Sequence, residues 1–455
     1  MDFIPLIKKL CEPAGGVVAP GNEVLFAYLQ QELPFKIHRY PSGSETNGWV
    51  IHDHWEVEKA LIKKKGKVIF DGLVNTLAVA RYSNSFQGTL SWEALKLHVV
   101  SSEKRPTAYV FHCAWQYRPW DADWAFSIPH ELVKTWEPGD YEVDLVTHKK
   151  LGDMLLAEYH HQGTSDKTIV FNSNTCHPHM ANDGFCGSAL LIRLLQEIKE
   201  KKTFYSYKLI LAPEHLGSVF YLENKSPQEL EQMVGGAFLE MLGTEGPFKI
   251  TSTFLGGHPI DHIFSHVLTH YSCSFDAVPW RQGAGNDETV WEAPGYEVPF
   301  VEFTRSQCLF DPFHEYHTHL DNAELMDEDQ LQESYRVLQE CVFVLENNAR
   351  LYRHFDGLIC LSNPKYDLYQ ERPDPSMMKD LPEDAEKWGL LQDSLQRYFD
   401  GSVTILDIAI KHDVPFKRLF SYLKQFEGKG LIDMRFEEIE RVPISPSLKK
   451  NSGSL

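Results

Sequence analysis

A chain of 455 residues, 43% of them hydrophobic, is long enough to bury a large core and to form two or three domains. Its 64 acidic residues outnumber the 44 basic ones, and the formal net charge of −20 argues against a general polyanion-binding surface. No apolar run approaches the roughly 18 residues of a membrane helix, and the N-terminus lacks a signal-peptide core. The eight cysteines form no C-x-x-C pair, which is typical of reduced thiols. We therefore expect a soluble cytoplasmic protein that does not contact membranes.

The first third of the chain predicts helices and then an inserted β-domain. Residues 1–40 have a helical pattern, with an apolar stripe from Glu23 to Leu33 that Pro34 ends. Residues 51–151 instead show short apolar or aromatic runs between turn residues, among them KVIFD, LAVARYS, TAYVFH and YEVDLV. The many tryptophans here either form the core of this β-domain or, as a second interpretation, line a neighbouring cleft.

Residues 167–198 carry polar side chains between a predicted strand and a predicted helix. The strand begins at Thr168, and the helix shows an apolar stripe up to Ile198. Between them lie His177, His179 and Asp183, at the carboxyl end of the strand, where ligands bind in open α/β sheets. Imidazole with a nearby carboxylate suits zinc. A solvated loop explains this stretch better when it is taken alone, because a chain with 21 histidines and 64 acidic residues has such a pair easily by chance.

Three further apolar runs of strand length end near polar side chains. They are YKLILA before Glu214 and His215, GGAFLEML around Glu240, and VPFVEFT before Arg305 and the loop to His317. Near-continuous apolar runs are typical of strands buried on both faces in a parallel sheet. Residues 328–350 predict a long amphipathic closing helix. We predict an α/β fold with a mostly parallel sheet flanked by helices, built from residues 1–50 and 152–370.

The C-terminal part predicts a separate small domain. Residues 371–386 have the composition of a linker, residues 387–443 follow the helix and strand order of a winged helix, and residues 444–455 resemble a disordered tail. A nucleic-acid reader needs a basic third helix, yet basic and acidic residues nearly balance between Lys411 and Arg441. We therefore expect a structural or protein-contact module that does not bind nucleic acid.

The polar residues at the strand ends resemble, in their order, those of the co-catalytic zinc aminopeptidases, the family of leucine aminopeptidase and glutamate carboxypeptidase. The segments ANDGFCGSAL, PEHLGS, FLEMLG and YHTHLD carry the likeness. The resemblance implies that Asp183 is the central metal ligand, that His177, Glu240 and His317 are outer ligands, and that Glu214 is the general base. The segments NTCHPHMANDG, QGAGNDETVWEAPGYEVPF and EYHTHLDN are similar to a bacterial subgroup with a nested β-domain and a C-terminal winged helix.

The chain departs from that family at two positions. His215 follows Glu214 where the family has a second glutamate, and position 179 is histidine where the family has aspartate. A second zinc ion would lose carboxylate charge that offsets two neighbouring cations. We therefore predict one tightly bound zinc on His177, Asp183 and His317, with Glu240 and His215 forming at most a weak second site.

The resemblance implies a zinc-dependent hydrolase that cleaves an amide or peptide bond, aminopeptidase-like on a small peptide or aminoacyl substrate. We expect Tyr316 to contact substrate, Asp287 and Glu288 to hold its α-amino group or to form a solvated turn, and Arg305 to hold a carboxylate or an oxyanion, or to form a structural ion pair. The alternatives are a metal-dependent amidase or deacylase of a modified metabolite, a non-catalytic binding protein, and a nucleic-acid regulator. A homo-oligomer is compatible with all of them.

Overall fold

The computed structural model describes residues 2–121, 123–271, 274–306, 310–370 and 385–446. The chain divides into two compact units, the first formed by residues 1–256, 276–335 and 441–455, the second by residues 257–275 and 336–440. The predicted linker and the predicted tail lie almost wholly outside the described residues. Within those residues, no helix combines the length and the apolar character that a membrane span needs.

An eight-stranded sheet forms the centre of the first unit. With strands numbered along the chain, its spatial order is β1 (Lys36–Pro41), β10 (Asp153–His161), β12 (Ser206–Ala212), β11 (Thr168–Asn174), β13 (Met233–Leu239), β16 (Phe300–Thr304), β14 (Phe248–Thr251) and β15 (Phe275–Val278). Strands β12, β11, β13 and β16 pair in parallel. Strands β1, β10 and β14 add antiparallel pairs on either side. The predicted mixed α/β fold with a parallel central sheet is confirmed, so the carboxyl ends of four strands meet at one edge.

Helices flank this sheet and follow the apolar stripes of the sequence. In the first unit they are α1 (Ile4–Cys11), α2 (Asn22–Glu32), α5 (Cys186–Ile198), α6 (Leu216–Glu223), α7 (Pro227–Gln232) and α9 (Glu288–Trp291), while α3 (Trp92–Leu95) and α4 (His130–Val133) are short helices beside the second sheet described below. Gly187 is the second residue of α5, and an added Cβ there would lie 2.2 Å from the carbonyl oxygen of Leu239. Glycine therefore lets the first turn of α5 pack against the end of β13.

A second, four-stranded antiparallel sheet lies within residues 54–150. The strands of this region and of the short ladders around it are β2 (Glu45–Thr46), β3 (Trp49–Val50), β4 (His54–Lys64), β5 (Lys67–Asp71), β6 (Phe86–Ser91), β7 (Val99–Val100), β8 (Phe126–Ser127) and β9 (Asp140–Lys150). The sheet order is β5-β4-β9-β6. Trp55, Trp124 and Phe126 belong to one buried cluster beside it. That packing supports the first interpretation of the aromatic residues, a core for this region.

Three predicted elements of the first unit are wrong. Residues 36–41 form β1 and not the end of a helix, because they pair with β10 at the sheet edge. The run LAVARYS makes only an isolated bridge from Val79 to Phe126, and the run TAYVFH makes only one from Val110 to Thr318. Both runs are apolar because they are largely covered by neighbouring segments, and burial without a continuous ladder gives the same sequence pattern as a strand.

The second unit combines helices with a three-stranded sheet. Its elements are α8 (Pro259–Tyr271), α10 (Glu328–Asn347, of which residues from 336 onward belong here), β17 (Ala349–Arg353), α11 (Ala385–Leu395), β18 (Asp400–Thr404), α12 (Ile405–His412), α13 (Phe416–Gly428) and β19 (Ile432–Phe436). The sheet order is β18-β17-β19. Thr404 and Asp407 form a capping box that starts α12. Helices α11, α12 and α13 and strand β19 come in the predicted order, β18 lies where the sequence predicted only a turn, and the winged helix stays a prediction.

The carboxylate of Glu158 on β10 contacts side chains of both neighbouring strands in the large sheet, β1 and β12. It accepts hydrogen bonds from His38 Nε2 at 2.7 Å and from the Tyr221 hydroxyl at 2.8 Å. Lys208 Nζ lies 3.2 Å and Lys225 Nζ 3.8 Å from its oxygens. Burial alone would raise the pKa of Glu158, but the bond from His38 and the charges of both lysines bring it well below its usual value.

We expect Glu158→Gln to lower the free energy of unfolding by about 3 kcal/mol near neutral pH, because it removes the counter-charge of the largely buried Lys208 ammonium and leaves Lys225 with Glu229 alone. A depressed pKa contributes stability above the unfolded carboxyl pKa of about 4.3, and this contribution is lost as pH falls below that value. Urea unfolding near pH 7 and near pH 3 checks this, since the difference from the unchanged protein should shrink in acid. Glu23→Gln is the control, because the Glu23–Arg39 pair is exposed and worth less than about 1 kcal/mol. A difference that is the same at both pH values would contradict the assignment.

Candidate active site

Three candidate metal ligands meet at the carboxyl edge of the large sheet. His177 follows β11, Asp183 lies in the π-helical turn before α5, and His317 comes from the loop after β16. Their ligand atoms all lie within 4.8 Å of one another. Asp183 Oδ2 is 3.1 Å from His177 Nε2 and 3.5 Å from His317 Nε2. The structure therefore brings the predicted trio together.

Neighbouring groups fix the orientation of both imidazoles. His177 Nδ1 lies 2.8 Å from the carbonyl oxygen of Pro178, so Nδ1–H donates to it and Nε2 keeps its lone pair for a metal. The ring of Phe111 stacks on His177 at 4.2 Å, and the ring of Tyr316 stacks on His317 at 3.9 Å. The Nε2 atoms of His177 and His317 therefore face the same point as the carboxylate of Asp183.

Asp321 forms hydrogen bonds with the backbone at Asp183, the carboxylate among the three candidate ligands. Its Oδ1 accepts from the N–H of Asn182 at 2.7 Å, and its Oδ2 accepts from the N–H of Asp183 at 3.0 Å. Asp321 is fully buried and lies four positions after His317. The sequence analysis gave it no role. One carboxylate therefore joins the loop of His317 to the turn of Asp183.

Four non-glycine residues around the site have left-handed backbone conformations. They are His179 (φ 57°), His215 (φ 54°), Met241 (φ 54°) and His317 (φ 54°). Such values are uncommon outside glycine and asparagine, and each costs of the order of 1 kcal/mol. Their clustering beside one cavity indicates that the surrounding contacts hold the backbone in place for a functional reason.

Glu214 lies just past the end of β12 and its carboxylate is held by a tyrosine. The hydroxyl of Tyr117 donates to Glu214 Oε2 at 2.6 Å. The next residue, His215, turns away from the candidate ligands. Its N–H donates to Asp287 Oδ1 at 2.5 Å, and its Nε2 lies 3.3 Å from the carbonyl oxygen of Asn286.

Glu240 follows β13 directly and is buried, with an exposed fraction of 1%. Its Oε2 accepts from the side-chain amides of Asn286 at 2.9 Å and Asn174 at 3.3 Å. Its Oε1 finds no hydrogen-bond partner among the described residues, and the same holds for Asn174 Oδ1. A buried carboxylate oxygen without a donor is costly unless a ligand or cation satisfies it.

A cavity of about 30 Å³, the space open to the centres of water molecules, joins these groups. By that measure it has room for an ion and a water molecule. Its lining consists of Asn174, Cys176, His177, Asp183, Glu214, Glu240, Met241, Ala284, Gly285, Asn286, Pro312, Tyr316 and His317. The predicted base, the three predicted zinc ligands and Glu240 of the predicted weak site therefore share one cavity.

The remaining predicted site residues have other surroundings. Asp287 accepts from His215 N–H and from the Ser218 hydroxyl at 2.5 Å. Glu288 accepts from the N–H of Asn286 at 2.6 Å and pairs with Arg281 at 3.1 Å. Other groups of the protein therefore already bond to both carboxylates.

Arg305 is likewise turned away from the candidate ligands. Its guanidinium donates to the Gly246 carbonyl at 2.8 Å and to Glu333, and lies over the ring of Phe248. Of the two extra histidines, His179 Nε2 contacts the Thr76 hydroxyl at 3.0 Å, and His319 Nδ1 accepts from the N–H of Tyr109 at 3.1 Å. Neither histidine belongs to the trio of close ligand atoms found among the described residues.

The charges of the site favour a bound cation. Burial raises the pKa of Asp183, partly offset by His177. Burial, followed by the charges of Asp183, Glu302 and Glu214, raises the pKa of Glu240 well above its usual value. Burial lowers the pKa of His317 to about 3, with His177 the next cause, so its imidazole is neutral. Imidazole nitrogens beside buried carboxylates are a donor set that zinc prefers, and a dication supplies counter-charge to those carboxylates. The residues present therefore fit a zinc ion.

Sequence reasoning missed five residues that shape the site. They are Phe111, Tyr117, Asn174, Asn286 and Asp321. Asn174, Asn286 and Asp321 lie within segments that carry the family resemblance, and for the aromatic pair the signal was the aromatic content of residues 51–151, whose second interpretation placed aromatic residues beside a cleft. Phe111 and Tyr117 do so, although that interpretation pointed to the tryptophans.

Comparisons with known proteins agree with this architecture. A family model described as a domain of unknown function, DUF4910, matches residues 5–348. A Clostridium acetobutylicum protein, provisionally named as a polysaccharide biosynthesis protein with an aminopeptidase-like domain, is 28% identical over 426 residues, which cover 92% of this chain and 93% of the relative.

Solved structures show the same fold. A crystal structure provisionally described as a Clostridium acetobutylicum peptidase has a TM-score of 0.78 and 24% identity, covering 95% of this chain and 96% of that one. A zinc aminopeptidase from Bacillus subtilis has a TM-score of 0.55 and 12% identity over 75% of this chain and 93% of that one. The chain therefore has an aminopeptidase-like fold, with the cavity at the carboxyl edge of its central sheet.

Proposed function

Because the chain belongs to the DUF4910 family, whose function is not defined, we propose its activity from the site itself. We propose a zinc-dependent hydrolase that cleaves an amide or peptide bond, aminopeptidase-like on a small peptide or aminoacyl substrate. The observation that carries this proposal is the shared cavity of His177, Asp183, His317 and Glu214. Three ligands beside a carboxylate base are the parts that metal-assisted amide hydrolysis needs.

His177, Asp183 and His317 would hold one zinc ion, leaving a fourth position open. When bound, zinc polarises a carbonyl oxygen and lowers the pKa of a water molecule towards about 7. Two observations support a single tightly bound zinc ion. The His215 imidazole lies against the carbonyl oxygen of Asn286, and Glu240 is outside the close trio among the described residues. Glu240 and His215 remain our candidates for a weak second site.

The chain's own groups perform the proton transfers in this proposal. Glu214 takes a proton from the attacking water as the water oxygen bonds to the carbonyl carbon. It then gives that proton to the nitrogen as the carbon–nitrogen bond breaks, so the amine leaves neutral. Tyr316 lines the cavity and would contact the substrate. For Asp287, Glu288 and Arg305 we propose structural roles, because their bonds are to the protein.

A metal-dependent amidase or deacylase is the second candidate. It requires the same ligands and the same base, and it differs only in whether the cleaved bond follows a free amino group. The Clostridium relative is named for polysaccharide biosynthesis as well as for an aminopeptidase-like domain, and an amide bond on a sugar is an N-acyl group. An N-acylated sugar is therefore the substrate class we propose for this alternative.

A paired substrate screen tests the proposal. The purified protein, analysed for zinc, is offered aminoacyl anilides with a free α-amino group and N-acylated amines or sugars. We expect turnover of the first class, its loss on chelation and its return with zinc. Turnover of the N-acylated class alone would select the amidase. Zinc-loaded protein that turns over neither class would contradict the hydrolase and leave a binding protein on the same fold.

We also make three proposals, which concern the protein's location, nucleic-acid binding and oligomeric state. A cytoplasmic location accords with the free thiols of Cys11, Cys113, Cys176, Cys186, Cys341 and Cys360. We propose that the second unit does not bind nucleic acid, because Lys417 pairs with Glu340 and Lys424 with Glu427 on its helix α13. A homo-oligomer remains compatible with this chain.

A further inference from the structure

The side chain of Tyr117 contacts Glu214, the proposed base, although the two residues are far apart in sequence. Its hydroxyl donates to Glu214 Oε2 across 2.6 Å, and the two residues lie 97 positions apart. Tyr117 ends a 3₁₀ helix of residues 114–117, whereas Glu214 follows a strand of the large sheet. A short bond from a hydroxyl to a carboxylate is roughly twice as strong as one between neutral groups. The contact therefore fixes one oxygen of Glu214 firmly.

The segment that carries Tyr117 is fastened on both sides. Burial lowers the pKa of His52 to about 4, so this imidazole is neutral and its Nε2–H donates to the carbonyl oxygen of Gln116 at 2.6 Å. Upstream, the N–H of Phe111 donates to the carbonyl oxygen of His317 at 2.8 Å. One segment thus contacts both the loop of a metal-ligand candidate and the proposed base.

A phenol suits this position because it donates one hydrogen bond without adding charge. Burial, followed by the charge of Glu214, raises the pKa of Tyr117 well above its usual value, so the hydroxyl keeps its proton. A lysine or arginine here would neutralise the carboxylate and weaken it as a base. The ring of Trp49 packs edge-on against the ring of Tyr117, with 6.2 Å between the ring centroids, and this contact limits the movement of the Tyr117 ring.

We propose that Tyr117 is a positioning residue for Glu214, an inference that rests on the hydrolase function proposed above. Its hydroxyl holds Oε2, so Oε1 is the oxygen that exchanges the proton. Oε1 takes one proton from the attacking water while the new carbon–oxygen bond forms. The same proton passes to the amide nitrogen as the carbon–nitrogen bond breaks, which leaves Glu214 ionised again.

Tyr117→Phe tests this with Tyr141→Phe as the matched control. Both changes remove one buried hydroxyl, since Tyr141 donates to the carbonyl oxygen of Glu137 at 2.6 Å, at the four-stranded sheet. We expect Tyr117→Phe to lower kcat about 10- to 100-fold, because a misplaced base loses its alignment. KM should change less than about twofold and the zinc content should not change. Tyr141→Phe should lower thermal stability and leave kcat unchanged.

A double variant separates positioning from a general structural effect. If Tyr117 acts through Glu214, then Tyr117→Phe adds no further loss of kcat in the Glu214→Gln background. The same fold-loss in both backgrounds, or an unchanged kcat in the single variant, would overturn the proposal.

Crystal structures of the unchanged protein and of Tyr117→Phe give a measurement that does not depend on turnover. We expect Glu214 in one position in the first and in a different or split position in the second. An unmoved Glu214 would overturn the inference even if the protein hydrolyses amides. Conversely, a displaced Glu214 in a protein that cleaves no tested amide would refute the proposed function and uphold the positioning role.

Discussion

Purified His317→Ala protein is expected to retain no zinc through extensive dialysis, whereas the unchanged protein should retain close to one ion per chain. His317 Nε2 is one of only three close ligand atoms among the described residues, 3.5 Å from Asp183 Oδ2. The two that remain do not complete the coordination that zinc takes in proteins. Turnover should disappear with the metal. Metal analysis by mass spectrometry, together with kcat for the best substrate, measures both effects.

His319→Ala is the matched control for that loss. It removes an imidazole from the same loop, one that bonds to the N–H of Tyr109 and not to the candidate ligands. It should cost stability and keep zinc. His215→Ala should also keep the tight ion. Two ions retained equally by the unchanged protein would contradict the single-zinc proposal, and would show that His215 replaces the missing carboxylate.

Glu214→Gln is expected to keep zinc and the fold while kcat falls about 10²- to 10⁴-fold, the usual contribution of a general acid–base group. Glutamine has the same shape, and its carbonyl oxygen can still accept from Tyr117. A neutral amide, however, cannot take a proton from water. Steady-state kinetics, zinc content and circular dichroism measured on one preparation separate lost chemistry from lost structure.

Glu245→Gln provides the control for this change, since Glu245 is exposed in the loop after Glu240. It should leave kcat unaltered. Undiminished turnover by Glu214→Gln would remove Glu214 from the mechanism. Loss of zinc in the same variant would instead make Glu214 a ligand.

The sheet and the convergence of the candidate metal ligands were predictable for a common physical reason. Strands Thr168–Asn174 and Ser206–Ala212 are buried almost throughout, and each contains an apolar run, Ile169 to Phe171 in the first and Leu209 to Ala212 in the second, that precedes polar residues. His177 and Glu214 lie just past those ends. A parallel sheet then gathers its carboxyl ends at one edge, and no distance information is needed to expect that these residues converge.

What the sequence did not predict depends on contacts between distant segments. Tyr117 contacts Glu214 only because residues 109–111 pair with residues 317–319, and no local pattern in the TAYVFH run indicates that partner. For Arg305 the sequence left a bound carboxylate or oxyanion and a structural ion pair both open, and the pair with Glu333 supports the second. Phe248 and Glu333 draw the guanidinium away, and neither is near it in sequence.

The bond between Asp321 and the N–H of Asn182 spans 139 positions of the chain, and this separation sets when the zinc ion proposed above could bind. Synthesis runs from the N-terminus, so His177 and Asp183 leave the ribosome long before His317 is made. Two of the proposed ligands without the third would hold zinc weakly, and Asp321 would not yet fix the turn that carries Asp183. On this proposal, a growing chain would stay largely free of metal, and the ion would bind after the long-range contacts have formed. Zinc would then stabilise the finished fold and guide none of its early steps.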